Sequence, residues 1–428
     1  MATTPSNRGD ELLHSPLGST GGPSWLARLW SGKAEALIER IDRGLARGVI
    51  HATLPDGSHR TLGGRAPGFE VTVELRRWRG LLRVATAGSV GLYQGWEAQD
   101  WVSADPVSLF ALFMDNADAL GDTARAHGPW RWVGRLVHAL RRNSRAGSRR
   151  NIHAHYDLGN DFYAAWLGST MAYSSGIFDA LPAPDDGQQR LDALDQAQLG
   201  KITEVVKRAA VPQGGSVLEI GCGWGAQSFA LSHGAGQVVG ISLSERQLAF
   251  CRARQEGSAA PIEFRYQDYR DVTGQFDAVV SVEMVEAVGR AYWPDFFDCL
   301  HRCLKPGGRA VVQYITIRDD LFDAYAASAD FIQTYIFPGG MLIRESEFRT
   351  LAAARGLEWT DPSAFGLHYA ETLLLWRERF DLAVAEGRLP SGFDVRFVRL
   401  WRFYLMYCEG GFRGGGIDVR QVTLIKLA

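Results

Sequence analysis

The stretch Ser216-Val217-Leu218-Glu219-Ile220-Gly221-Cys222-Gly223-Trp224-Gly225 constrains the fold of this chain more than any other. An apolar run closes on an acid, and three glycines follow at alternate positions. That order reads as a buried strand turning sharply into a helix, with glycines where the backbone bends and where a flat ligand can approach without meeting a β-carbon. A tight turn with no ligand uses similar residues, so the loop alone does not decide. The segments after it do. Val238-Val239-Gly240-Ile241 is a second apolar run, and Ser244-Glu245 starts a helix with a capping hydroxyl and an acid in its first turn. Ile262, Phe264 and Tyr266 alternate as a third strand, Phe276 to Val282 give a fourth, and Leu304-Lys305-Pro306-Gly307-Gly308 leads into a fifth at Ala310-Val311-Val312. Strands alternating with helices predict an α/β fold with a mostly parallel, Rossmann-like sheet and its ligand at the carboxyl ends of the strands.

The rest of the chain is organised around that sheet. At 428 residues, two or three domains of about 100 to 200 residues each are expected. Residues 1–22 are rich in Ser, Thr, Pro and Gly, predict disorder and lack the apolar core of a signal peptide. Residues 23–128 read as an accessory α+β domain, with a helix around Ala34 to Gly48 and a strand in which Phe69, Val71, Val73 and Leu75 alternate. Gly88 to Trp96 carries no recognisable catalytic grouping. Residues 129–150 form a basic linker in which Trp132, Val133, Leu136, Val137 and Leu140 share one helical face and seven arginines lie between 131 and 150. It reads either as a linker packed on a domain or as a contact for anionic phospholipid headgroups. Residues 151–428 are the expected catalytic domain, with apolar helical insertions at Thr372 to Val384 and Phe397 to Tyr407 before a last strand, Ile417 to Leu427.

Composition excludes some functions. A formal net charge of -2 argues against a broadly basic nucleic-acid binder. The five cysteines (222, 251, 299, 303, 408) show no Cys-x-x-Cys spacing, which predicts a reducing, cytoplasmic setting. Cys299 and Cys303 lie one helical turn apart without a nearby histidine pair and read as core, so no metal is expected. No stretch approaches the roughly 18 uninterrupted apolar residues of a membrane span, so a lipid substrate would be reached peripherally, from the membrane surface.

The Glu-x-Gly-x-Gly-x-Gly pattern and the Lys-Pro-Gly-Gly turn resemble class I S-adenosylmethionine (SAM) methyltransferases. Further segments narrow the resemblance: His155-Tyr156-Asp157-Leu158-Gly159-Asn160-Asp161-Phe162-Tyr163, Met171-Ala172-Tyr173-Ser174-Ser175, Ser281 to Gly289, and Tyr335-Ile336-Phe337-Pro338-Gly339-Gly340. With the glycine loop they resemble, in order, the cyclopropane fatty acid synthase family, from about residue 150 to the end. The resemblance implies a carbon methyltransferase that acts on the double bond of unsaturated phospholipid acyl chains. Its SAM pocket would use Tyr173, Ser174, Glu219, Gly221, Gly223 and Gly225, with Ser242 and Gln247 at the ribose and Asp268 and Tyr269 near the adenine. An aromatic face and an acid suit a sulfonium cation.

In the family a bicarbonate ion removes the proton from the carbocation, held by a Cys, a Glu, a His, a backbone amide at an Ile, and a Tyr. Glu286, Ile317 and Tyr369 match the Glu, Ile and Tyr. Ser175 replaces the Cys and Ile315 the His, which leaves open whether bicarbonate is bound and makes Glu286 the expected proton acceptor. Ser281 to Gly289 and His368-Tyr369-Ala370-Glu371-Thr372-Leu373 resemble the branch that serves 10-methyl fatty acid synthesis. The product is thus expected to be a cyclopropane or a methylene- or methyl-branched chain, with a reductase or oxygenase as a downstream partner and a homo-oligomer left open. The alternatives are a related fatty-acid-modifying protein, as in furan fatty acid formation, and a SAM or lipid binding module that has lost catalysis.

Overall fold

The computed structural model describes residues 8–13, 31–121, 158–182, 187–328 and 330–427. Contacts group them into two units. The first holds the described residues through 121 with 318–338 and 392–417, and the second holds 158–317, 339–391 and 418–427.

In the first unit a four-stranded sheet has the order β2-β1-β3-β4, from β1 (Val49–Thr53), β2 (His59–Gly63), β3 (Glu70–Leu75) and β4 (Trp101–Val102). The expected alternation in β3 buries Val71 and Leu75. Gly88 to Trp96 lies within the Arg79–Glu97 helix, which breaks at Gly88 with φ 57° and ψ -131°. The expectation that everything from 151 onward forms one domain differs from this grouping, and packing gives the reason. A β-carbon on Gly410, in the Val395–Arg413 helix, would lie 2.5 Å from Phe110 Cβ and 2.9 Å from the Val107 carbonyl, so this helix meets the Pro106–Asp115 helix backbone to backbone. Tyr93, Phe110, Phe331 and Phe403 interlock around that contact, with ring centroids 4.8–5.2 Å apart. Within the segment expected to be disordered, Asp10–Leu13 form a helical turn with Leu12 and Leu13 buried. The rest of residues 1–22 and the basic stretch 129–150 lie outside the described residues.

In the second unit each apolar run is a strand: β5 (Ser216–Ile220), β6 (Gln237–Ser242), β7 (Ile262–Tyr266), β8 (Phe276–Val282) and β9 (Leu304–Ile317). With β10 (Leu357–Ala364) and β11 (Ile417–Lys426) they make a seven-stranded sheet in the order β10-β11-β9-β8-β5-β6-β7. The pairs β5–β6, β6–β7, β5–β8 and β8–β9 are parallel, and β10–β11 is antiparallel. Val217, Leu218, Val238, Val239, Val279 and Val280 are all fully buried, as strands covered on both faces require. The strand order reverses at β5, between β6 and β8. In a sheet of this kind, that is where a crevice opens at the carboxyl ends.

Candidate active site

The loop after β5 shapes the crevice. Gly221, Gly223 and Gly225 all have positive φ (82°, 51° and 84°). A β-carbon on Gly221 would lie 3.0 Å from Met284 Cγ, whereas one on Gly223 would meet nothing within 4 Å and would point into open space. Gly225 begins the Ala226–Leu231 helix and packs against Cys251, Phe229 and Phe264, so its role is to let the loop close on the core.

A cavity opens over the ends of β5, β6 and β8. Among the residues expected to bind a cofactor, Tyr173, Ser174, Glu219, Gly221, Gly223, Ser242, Gln247 and Tyr269 line it; Gly225 and Asp268 do not. Both Asp268 carboxylate oxygens are taken by Arg270, at 2.8 Å and 2.6 Å, so Asp268 anchors the turn that presents Gln267 and Tyr269 to the cavity. At the end of β6, Ser242 Oγ donates to Gln247 Oε1 at 3.1 Å, and the Ser244 hydroxyl caps the helix that carries Gln247. Trp224 of the loop donates from its indole nitrogen to Asn160 Oδ1 at 2.9 Å, and Asn160 donates in turn to the Arg246 carbonyl at 3.1 Å. Tyr173 sits in an aromatic nest with Tyr163, Trp166 and Trp376, at 5.3–5.7 Å between ring centroids.

Desolvation shifts the titratable groups of the cavity towards their neutral forms. Glu219 accepts from Ser228 Oγ, yet burial pushes its carboxyl up to about 8. Burial also raises Glu283, while hydrogen bonds from Tyr369, Ser175 and Gln313 pull it back. The opposing cation is Lys201, buried at 3 % exposure, whose ammonium donates to Ser174 Oγ at 2.7 Å and is brought down to about 8 by desolvation. Carboxyls raised by desolvation ionise more readily beside a positive charge, so a cationic ligand is favoured here. Gln227 Oε1 and Tyr269 Oη also lie buried on the cavity wall without a hydrogen-bond partner among the described residues, leaving one acceptor and one hydroxyl for a polar ligand. The residues present therefore fit SAM, a sulfonium with a polar nucleoside.

The structure divides the four expected catalytic residues. Ser175 and Tyr369 meet at one carboxylate, that of Glu283. Oε1 accepts from the Ser175 amide at 2.9 Å and from Gln313 Nε2 at 2.7 Å, and Oε2 accepts from Tyr369 Oη at 2.6 Å. Glu286, expected beside Tyr369, instead accepts from the Ile315 amide. The Ile317 amide donates to the Ile343 carbonyl at 3.3 Å and is committed there. Sequence reasoning passed over Glu283, Gln313 and Lys201. Each left a signal: a second acid three residues before Glu286, a glutamine directly after the apolar run Ala310-Val311-Val312, and a lysine on the buried face of the Gly187–Ala209 helix beside Ala197, Gln198 and Ile202.

Comparisons with known proteins give the family. The family model described as mycolic acid cyclopropane synthetase matches residues 143–422. Tuberculostearic acid methyltransferase UfaA1 of Mycobacterium tuberculosis (strain ATCC 25618 / H37Rv) is 38% identical over 352 residues, 80% of each chain. Cyclopropane-fatty-acyl-phospholipid synthase of Escherichia coli (strain K12) is 34% identical over 277 residues, 64% of this chain and 66% of the relative. Among solved structures, mycolic acid cyclopropane synthase CmaA1 complexed with SAH and CTAB superposes with a TM-score of 0.58 at 28% identity, covering 65% of this chain and 98% of that one.

Proposed function

The chain belongs to the mycolic acid cyclopropane synthetase family and is a SAM-dependent methyltransferase, and from that premise we propose that it methylates the cis double bond of unsaturated acyl chains in membrane phospholipids to give a methylene-branched chain. The observation that carries this reading is the cavity itself. One wall offers the glycine loop, Ser242 and Gln247 to a nucleoside, and the same cavity is lined by a carboxylate, that of Glu283. Bound SAM supplies a methyl cation equivalent. The alkene provides the electron pair, so no activated nucleophile is needed, and the chain's own tasks are to orient, exclude water and take a proton. Tyr173 and its aromatic neighbours exclude water beside the loop, and Lys201 fixes the Ser174 hydroxyl at the cavity wall.

Supporting the branched product are Ser175 and Ile315, which replace the Cys and the His that the family resemblance leads one to expect, and the 38% identity to a tuberculostearic acid methyltransferase. A methylene product retains a double bond, so a separate reductase would consume it. No helix among the described residues is long and apolar enough to cross a membrane, and the arginine-rich stretch 129–150 supplies the charge for a peripheral approach to an anionic surface. The test is to offer purified protein methyl-labelled SAM with vesicles of monounsaturated or of fully saturated phospholipid. Label enters the acyl chains of the first and not of the second; equal labelling of both, or label in the headgroups, contradicts the reading.

A further inference from the structure

We propose that Glu283 is the base of this enzyme, its carboxylate standing permanently where the family holds a bicarbonate ion. The inference rests on the methyltransferase reading above and adds the residue that takes the proton. Two of the groups matched to the family's anion ligands, Ser175 and Tyr369, donate here to one carboxylate of the chain itself, at 2.9 Å and 2.6 Å, and Gln313 adds a third donor at 2.7 Å. Gln313 is held for that task, because its own carbonyl accepts from Gln421 Nε2 at 2.8 Å. The backbone amide matched to the family's Ile, that of Ile317, is spent on Ile343. A free bicarbonate would thus find its donors occupied and a negative charge already present.

Backbone conformation supports a functional role. Glu283 has φ 50°, in the left-handed region that a non-glycine residue enters at a cost, and such strain persists where a site requires it. Glu283 directly follows β8 and lies among the residues that line the cavity, whereas Glu286 does not.

The step balances without any further reactant. Methyl transfer leaves the C–S pair on sulfur, and the alkene π pair forms the new C–C bond, which places a positive charge on the neighbouring carbon. A 1,2-hydride shift moves that charge to the branch carbon. A C–H bond of the methyl-derived carbon then gives its pair to the new C=C bond and its proton to Glu283, which releases it to solvent when product leaves. Among the described residues, the charged and titratable groups facing Glu283 are Lys201, Tyr369 and Glu286.

The test compares the wild-type protein with Glu283→Gln and Glu283→Gly, in bicarbonate-free buffer and with bicarbonate added. Wild-type turnover is expected to be indifferent to bicarbonate. Glu283→Gln should lose about a hundredfold or more in turnover, with SAM affinity by calorimetry changed only a few-fold. Glu283→Gly relieves the positive φ and vacates the three donors, so added bicarbonate should restore turnover in this variant alone. A wild-type rate that rises with bicarbonate, full turnover by Glu283→Gln, or a folded Glu283→Gly that bicarbonate does not rescue overturns the proposal. A wild-type protein that labels no acyl chain would instead overturn the substrate reading on which it rests.

Discussion

The Ile315 amide donates to Glu286 Oε1, while Glu286 Oε2 is closed to solvent with no hydrogen-bond partner among the described residues. The residue as a whole is only partly buried, but its carboxylate is not exposed, and desolvation followed by repulsion from Glu283 pushes it up to about 8. A carboxyl raised in the folded state above its ordinary 4.5 stabilises the fold below that value and loses the contribution as pH climbs towards 8. Glu286→Gln should therefore flatten the fall in stability of the ligand-free protein between about pH 5 and 8, by up to about 1.4 kcal/mol per pH unit. Denaturant titrations at several pH values check this. An unchanged slope would mean that Glu286 ionises freely. Since glutamine mimics the protonated acid and can still accept from Ile315, turnover should fall far less than in Glu283→Gln.

Tyr369→Phe removes the donor to Glu283 Oε2. A hydrogen bond to a charged group contributes about 1.5–3 kcal/mol, and each pKa unit corresponds to about 1.4 kcal/mol. Losing it raises Glu283, so the acid limb of the pH–rate profile should move to higher pH. Turnover lost equally at every pH would contradict a role for Tyr369 in setting the base.

Gly223→Val places a branched side chain where a β-carbon meets only open space, on the cavity side of the loop. Calorimetry should show SAM binding lost, with far-ultraviolet circular dichroism unchanged. Retained affinity in the folded variant would remove Gly223 from the cofactor's path.

The basic stretch 129–150 offers seven arginines to an anionic surface. Binding to anionic vesicles should weaken as salt rises, since the Debye length falls from roughly 10 Å at 0.1 M to about 3 Å at 1 M. Reversing Arg141, Arg142, Arg149 and Arg150 to Glu should abolish it. Vesicle binding that survives the reversal would return the stretch to a linker.

The sheet was legible because burial on both faces writes itself as uninterrupted apolar runs, and the glycine loop because positive φ demands glycine. The grouping of residues 392–417 with the N-terminal residues was not legible. It depends on Gly410 admitting another helix's backbone, and a glycine inside an amphipathic pattern does not name its partner. Ser175 and Tyr369 could be matched by motif, but the group on which they converge could not. Glu283 directly follows β8 with one strained φ, and spacing along the chain carries no trace of that turn.

The most direct test of the account is mass spectrometry of the acyl chains after reaction with methyl-trideuterated SAM and monounsaturated phospholipid, followed by ozonolysis. Because the proton passed to Glu283 comes from the methyl-derived carbon, the chain should gain one carbon bearing two of the three deuterons, and ozone should cleave it off as dideuterated formaldehyde, leaving a ketone. An ozone-resistant chain, all three deuterons retained, or label confined to protein or a small polar acceptor would contradict it.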